Sequence, residues 1–283
     1  MTKKVTIVVI IVVVVICIFT GTKVFSIGKE ENSSEIVLRK KLKKLDNIDQ
    51  KIRYFKYDYI DRYISYKDKN KKLSNSQIIL EVNIGLDKVF YTSVNPAPNQ
   101  NTHFVLVNKF YYLEEKYTPD KLEEIDNKYS ASGKYLVNVA KISFESLAKK
   151  ASEEGLKIRA VSAYRNYSYQ TTLYNNYVKQ DGVENADKYS ARPGFSEHQT
   201  GLAVDVDNKV SSYNNFENTK EFTWMKENAH KYGFILRYPK DKEYITGYIY
   251  EPWHYRYVGI DIATFIYKNN LTYEEYYFMY IDK

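Results

Sequence analysis

Cysteine is almost missing from this 283-residue chain: Cys17 is the only one, and it lies in the first apolar run. Its scarcity excludes a disulfide framework and any thiolate metal cluster, so a metal held further along the chain must draw its ligands from His, Asp or Glu. No internal repeat of roughly 20–50 residues recurs, which excludes a solenoid or a propeller. Alanine is absent before Ala97, so no Ala-x-Ala signal-peptidase site exists there. Surplus positive charge is absent from most of the chain as well. The net charge is +7, but residues 1–28 hold +3 of it, and residues 29–72 carry 14 Lys/Arg against 8 Asp/Glu. Residues 73–283 are therefore slightly acidic, at −2. A basic nucleic-acid domain is excluded on that distribution. With 44% apolar and 27% charged residues, the composition is that of a globular chain, not a disordered one.

What the N-terminus does contain is an uncharged run from Val5 to Thr22, 18 residues that span about 27 Å as a helix. Lys3 and Lys4 precede it, the arrangement of a short tail retained in the cytoplasm. The competing reading is a cleaved signal peptide, but besides the missing alanine, Val14, Val15 and Ile16 deny Cys17 the small residue a lipoprotein signal needs. These features predict a cytoplasmic tail over 1–4 and a single-pass anchor in the cell membrane over 5–27, with the rest of the chain outside the cell.

Residues 28–99 then read as a basic helical spacer. Leu42, Leu45, Ile48, Ile52, Phe55 and Tyr59 fall three or four apart and predict one apolar helical stripe. Basic residues interleaved with Tyr54, Phe55, Tyr57, Tyr59, Tyr63 and Tyr66 have the make-up of a stacking platform for single-stranded nucleic acid. A solvated helical face is the simpler reading, and outside a membrane its partners would be anionic wall polymer or lipid headgroups, not nucleic acid. Asn95-Pro-Ala-Pro-Asn99 is a breaker cluster, which places a boundary there and a second domain over 100–283.

In that second part, residues 104–107 read as a strand. Leu136, Ala140, Phe144, Leu147 and Ala151 form a helical stripe closed by Gly155. Residues 156–161 read as a strand, 219–232 as a helix closed by Gly233, and 248–257 as an extended aromatic strand. Because these do not alternate as βαβ units, an α+β fold is expected.

Only four histidines occur, and two sit in chemically suggestive company. Asp205 follows His198 by seven residues, and Glu251 precedes His254 by three. Two imidazoles and one carboxylate make a three-ligand zinc set with a fourth position left for water, and Glu251 is then available as a general base. On a straight strand residues 251 and 254 point to opposite faces, so a turn or bulge at Pro252 is required for both to reach one site. Taken singly these pairings are weak, since an isolated histidine is more often a satisfied structural residue. Pro193-Gly194 and Gly201 around His198, and the apolar Leu202-Ala203-Val204 leading to Asp205, strengthen them. His103 and His230 receive no role.

With these residues the sequence resembles the VanY-type zinc D-alanyl-D-alanine carboxypeptidases and their L,D-carboxypeptidase relatives. Three blocks in order carry the likeness, SAYRNYSYQ (162–170), SEHQTGLAVD (196–205) and EPWHYRYVG (251–259), over roughly residues 100–265. The resemblance implies that His198, Asp205 and His254 hold one zinc ion and that Glu251 is the catalytic base. It further implies that Arg165 meets the substrate carboxylate or a developing oxyanion, with Gln170 and Ser196 lining the substrate cleft. The implied fold is α+β with a small antiparallel sheet flanked by helices. The implied reaction is removal of the C-terminal D-alanine from peptidoglycan stem peptides. L,D-carboxypeptidase or stem-peptide endopeptidase action uses the same metal chemistry, and a non-catalytic wall-binding module would have no need of these four side chains.

Overall fold

Both candidate histidines belong to the neighbourhood of one four-stranded antiparallel sheet. The computed structural model describes residues 33–282 except 211 and 212. Three helices come first: α1 (Ser33–Lys44), α2 (Ile60–Lys69) and α3 (Asn75–Ile84). Two small strand pairs follow, β1 (Asn95–Pro96) parallel to β2 (Tyr111–Tyr112) and β3 (Leu122–Glu124) antiparallel to β4 (Tyr135–Val137). The remaining elements are α4 (Asn138–Glu153), β5 (Arg159–Ser162), α5 (Tyr167–Tyr189), β6 (Ala203–Asp207), α6 (Lys220–Asn228), β7 (Phe234–Leu236), α7 (Glu243–Thr246), β8 (His254–Tyr257), α8 (Ile260–Asn269) and α9 (Tyr273–Tyr276). Helix α5 is broken at Gly182, whose φ of 76° is outside helical space.

The main sheet runs in the order β5-β6-β8-β7. Its register sets Ser162 beside Asp205 and Asp205 beside His254, with a bulge between Ala160 and Ser162. Helix α4 buries Ala140, Phe144, Leu147 and Ala151 against Ala160, Val204, Val206, Tyr255 and Tyr257. Each large side chain so buried contributes about 1.5–3 kcal/mol, which makes this sheet a firm platform for the side chains at its edge. Small sheets flanked by helices are thus what the sequence leads one to expect, with α4 ending ahead of Gly155 and α6 followed by a 3-10 turn to Gly233.

Several local expectations are corrected. The stripe over 42–59 is not one helix. Helix α1 stops at Lys44, and Asp46 and Asn47 turn the chain with left-handed φ values of 56° and 52°. Two 3-10 turns, at Ile48–Gln50 and Tyr57–Tyr59, lead on to α2. The apolar side chains still share one cluster, Leu45 packing with Tyr63, Ile78, Ile79 and Val82, because turns can present spaced residues inward as well as a helix can. Nor does the chain part at 95–99, where β1 pairs with β2. Residues Lys40–Lys283 form one compact unit, and the described part of the other unit, Met1–Arg39, is the beginning of α1. Residues 104–107 form no strand; Val105–Val107 are buried, and the carbonyl of Val105 accepts from the Arg256 side chain at 2.7 Å, not from a neighbouring strand. Of 248–257 only the last four residues are strand. Among the described residues no helix is long and apolar enough to cross a membrane, and the expected anchor at 5–27 lies outside them.

Candidate active site

Two tight turns deliver the chemistry to the sheet. A 3-10 turn over Glu197–Thr200 presents His198 and ends at Gly201 (φ 67°). A Cβ at residue 201 would stand 2.9 Å from the Leu122 side chain, so the turn is packed as closely as glycine allows. Strand β6 then carries Asp205 to a place beside His254 on β8. The turn anticipated at Pro252 is present: the His254 N–H donates to the Glu251 carbonyl at 3.1 Å, and both side chains face the same cleft.

His198 Nε2 lies 3.3 Å from Asp205 Oδ2, and His254 Nδ1 lies 3.0 Å from Asp205 Oδ1 and 3.7 Å from Glu251 Oε2. The ring centroids of His198 and His254 are 4.9 Å apart at 84°. His198 Nδ1 is 2.6 Å from the Ala163 carbonyl, which accepts its proton and leaves Nε2 as the free lone pair. One donor atom from each of His198, Asp205 and His254 falls within 4.8 Å of the others. Close approach leaves several of these atoms without a partner, however. His198 Nε2, Asp205 Oδ1 and His254 Nε2 are buried and have no hydrogen-bond partner among the described residues. Converging, unsatisfied imidazole and carboxylate donors are what a tetrahedral zinc site with an open fourth position needs, so the donor set fits that ion.

The electrostatics distinguish the four groups. Burial, aided by Arg165, pushes His198 down to about 4, so it is neutral at physiological pH. His254 is drawn up to about 9, Asp205 and Glu197 overcoming the effect of burial. Asp205 is held well below the carboxylate range, since the attraction of His198 and hydrogen bonding outweigh burial. Burial pushes Glu251 up to about 8, with His254 opposing.

A cleft of about 570 Å³ opens over these groups, walled by Tyr169, Tyr189, Tyr248, Ile249 and Trp253. Arg165 reaches into it, its Nη1 donating to Ser162 Oγ at 2.8 Å and to Asp205 Oδ2 at 3.3 Å. Ser196 is among the residues that line the cleft, and Gln170 is not. Gln170 is buried behind Arg165, accepting from its Nε at 3.1 Å and donating to the Ala191 carbonyl at 2.7 Å, so it braces the arginine. His230 is stacked on Tyr267 and His103 adjoins Phe104, both away from the cleft.

Sequence reasoning passed over Glu197, Arg237, Arg256 and Glu274, which lie behind His254 with essentially no exposure. The available signal was an arginine set among apolar strand residues, as in Phe-Ile-Leu-Arg237 and His-Tyr-Arg256-Tyr. Such a residue must find a buried anion.

Residues 133–260 match the family model described as VanY, D-alanyl-D-alanine carboxypeptidase. A putative carboxypeptidase of Bacillus subtilis, YodJ, is 38% identical over 216 residues, covering 74% of this chain and 79% of that protein. This chain belongs to the VanY-type D-alanyl-D-alanine carboxypeptidase family. A D-alanyl-D-alanine carboxypeptidase of Enterococcus faecalis is 33% identical over 195 residues, 65% of this chain and 69% of its own length. Among solved VanY-like structures, the LD-carboxypeptidase LdcB superposes with a TM-score of 0.62 at 40% identity, covering 68% of this chain and 92% of that one. A vancomycin-resistance D,D-pentapeptidase VanY mutant in complex with Zn(II) gives 0.54 at 34% identity, covering 62% and 98%.

Proposed function

We propose that this VanY-type chain is a zinc-dependent D,D-carboxypeptidase that removes the terminal D-alanine from peptidoglycan stem peptides. The observation that carries the reading is the convergence of His198, Asp205 and His254 beside the buried carboxyl of Glu251. Zinc held by the first three residues supplies Lewis acidity toward the scissile carbonyl and makes a water acidic near neutral pH. Glu251 accepts the proton of the attacking water and returns it to the amine of the departing D-alanine. Burial raises its proton affinity toward the neutral range, against the pull of His254, as suits a group that must both take and give a proton. Arg165, braced by Gln170 and Ser162, directs a guanidinium at the substrate's terminal carboxylate or at the oxyanion of the tetrahedral intermediate. Arg165→Lys separates the two roles: a raised KM at constant kcat marks carboxylate anchoring, and a lowered kcat marks charge stabilisation.

The likeness to LdcB favours a second reading, L,D-carboxypeptidase action on tetrapeptides. Mass spectrometry of stem peptides incubated with the zinc-loaded protein decides between them. Release of D-alanine from a pentapeptide supports the D,D reading. Release from the tetrapeptide alone moves the specificity to L,D, internal scission makes the chain an endopeptidase, and no scission by zinc-replete protein leaves a wall-binding module.

The apolar run from Val5 to Thr22 supports membrane anchoring with the catalytic part outside the cell, where such substrates reside. Recovery of the full chain in the membrane fraction, digestible by protease added to intact cells, is the expected outcome. The surplus of basic residues over 29–72 makes anionic wall polymer an additional partner, whose salt-sensitive retention of the protein tests it.

A further inference from the structure

His254 uses two edges. Its Nδ1 faces Asp205 and Glu251, and its Nε2 faces Oε2 of Glu197 at 3.7 Å. Glu197 is fully buried, and its carboxylate is not free to turn. Oε1 accepts from Arg237 Nε at 2.8 Å and from Arg256 Nη1 at 2.7 Å. Arg237 spends its two remaining nitrogens on Glu274, at 2.9 and 2.6 Å, and Arg256 fastens its Nη2 to the carbonyls of His103 and Val105. Two guanidinium groups opposite two carboxylates leave this cluster electrically balanced without His254. Glu197 Oε2 is left over. It and His254 Nε2 are both buried, and neither has another hydrogen-bond partner among the described residues. A buried acceptor facing a buried imidazole nitrogen is costly unless that nitrogen carries the proton, and 3.7 Å is a short step from hydrogen-bond length. A proton on Nε2 leaves the lone pair on Nδ1, the edge that faces Asp205.

We propose that Glu197 is a positioning residue: its Oε2 accepts the Nε2–H of His254, which fixes the tautomer and ring angle of that histidine and presents Nδ1 to the metal. This inference rests on the zinc-hydrolase reading given above. Arg237 and Arg256 hold the carboxylate still, so the orientation of one zinc ligand is set by a rigid ion cluster in the core.

The test is zinc affinity of the full chain, measured by competition with a chromogenic chelator, for wild type, Glu197→Gln and Glu274→Gln. Glu274 belongs to the same ion cluster but does not touch His254. The expected result is zinc binding weakened about 10- to 100-fold in Glu197→Gln, with kcat lowered more than KM is raised. Glu274→Gln loses thermal stability and keeps its zinc affinity within about threefold, well short of that loss. If Glu197→Gln binds zinc as wild type does, or if both variants lose affinity in step with stability, the positioning role is overturned. A wild-type chain that binds no zinc overturns the hydrolase reading itself, which is a separable outcome. Should Glu197→Gln fail to fold, long-range proton–nitrogen NMR of the zinc-loaded wild type reads the His254 tautomer directly. A proton on Nε2 upholds the proposal, and a proton on Nδ1 ends it.

Discussion

Two clusters of buried charge meet at His254, and they are built to opposite rules. Behind the histidine, Glu197, Arg237, Arg256 and Glu274 pair at 2.6 to 2.9 Å, and each charge has an opposite neighbour, only Glu197 Oε2, which faces His254, being left over. In front, His198, Asp205, His254 and Glu251 crowd together with several atoms unsatisfied and with all four proton affinities far from ordinary values. A satisfied network fixes geometry, whereas an unsatisfied one costs stability and is retained where a ligand or a reaction makes up the deficit. The rear cluster is frame and the front cluster is machinery. Substitutions should separate them by what is lost.

The largest effect is expected in front. Glu251→Gln keeps the shape of the side chain but cannot accept a proton, so hydrolysis should fall by about 100- to 10,000-fold at unchanged zinc content. Stability should not fall with it, because burial disfavours the ionised carboxylate there. D-alanine release, metal analysis and a melting curve on one preparation check all three. Activity above a tenth of wild type would mean that another group is the base.

Behind the histidine the signature inverts. Glu274→Gln leaves Arg237 short of a buried counter-charge, and breaking such a pair costs about 3–5 kcal/mol. In a chain of this size that lowers the melting temperature by roughly 10 °C. Zinc-loaded enzyme below the new transition should hydrolyse at close to the wild-type rate. A loss of turnover without loss of stability would erase the distinction between frame and machinery.

The two clusters were also unequally legible in the sequence. The front one uses side chains close together in short blocks, with Asp205 seven residues from His198 and Glu251 three from His254, and a break in strand periodicity forced by Pro252. The rear one gathers Glu197, Arg237, Arg256 and Glu274 from four separate segments, and no spacing relates them. Helix α4 was readable because its stripe packs on a sheet. The 42–59 stripe was misleading because helical spacing reports which residues turn inward, and the left-handed Asp46 and Asn47 let consecutive turns do the same. The likeness places Gln170 at the cleft, whereas its side chain lies buried behind Arg165.

The smallest effect concerns a buried cation that belongs to neither rule. Lys109 is 4% exposed, and its Nζ donates to the carbonyls of Asp187 and Gly247 at 2.6 and 2.5 Å, over the face of Tyr248 at 4.4 Å. It ties the end of α5 to the turn after α7, joining two walls of the cleft, yet among the described residues no carboxylate oxygen pairs with it directly. Burial brings it down to about 8, against the attraction of Asp187. The unfolded chain holds this proton to about pH 10.4, so between those values the unfolded state binds more protons and folding gains stability as pH rises. Below about pH 8 both states are charged and the full cost of burying the ammonium remains. The unfolding free energy of wild type minus that of Lys109→Met, a difference in which the many tyrosines cancel, should therefore climb by about 1–3 kcal/mol from neutral pH to about pH 10. Urea titrations of both proteins across that range measure it. A flat difference would mean that two carbonyls and three aromatic faces hold the charge as securely as Glu197 and Glu274 hold the arginines, and Lys109 would then belong with the frame.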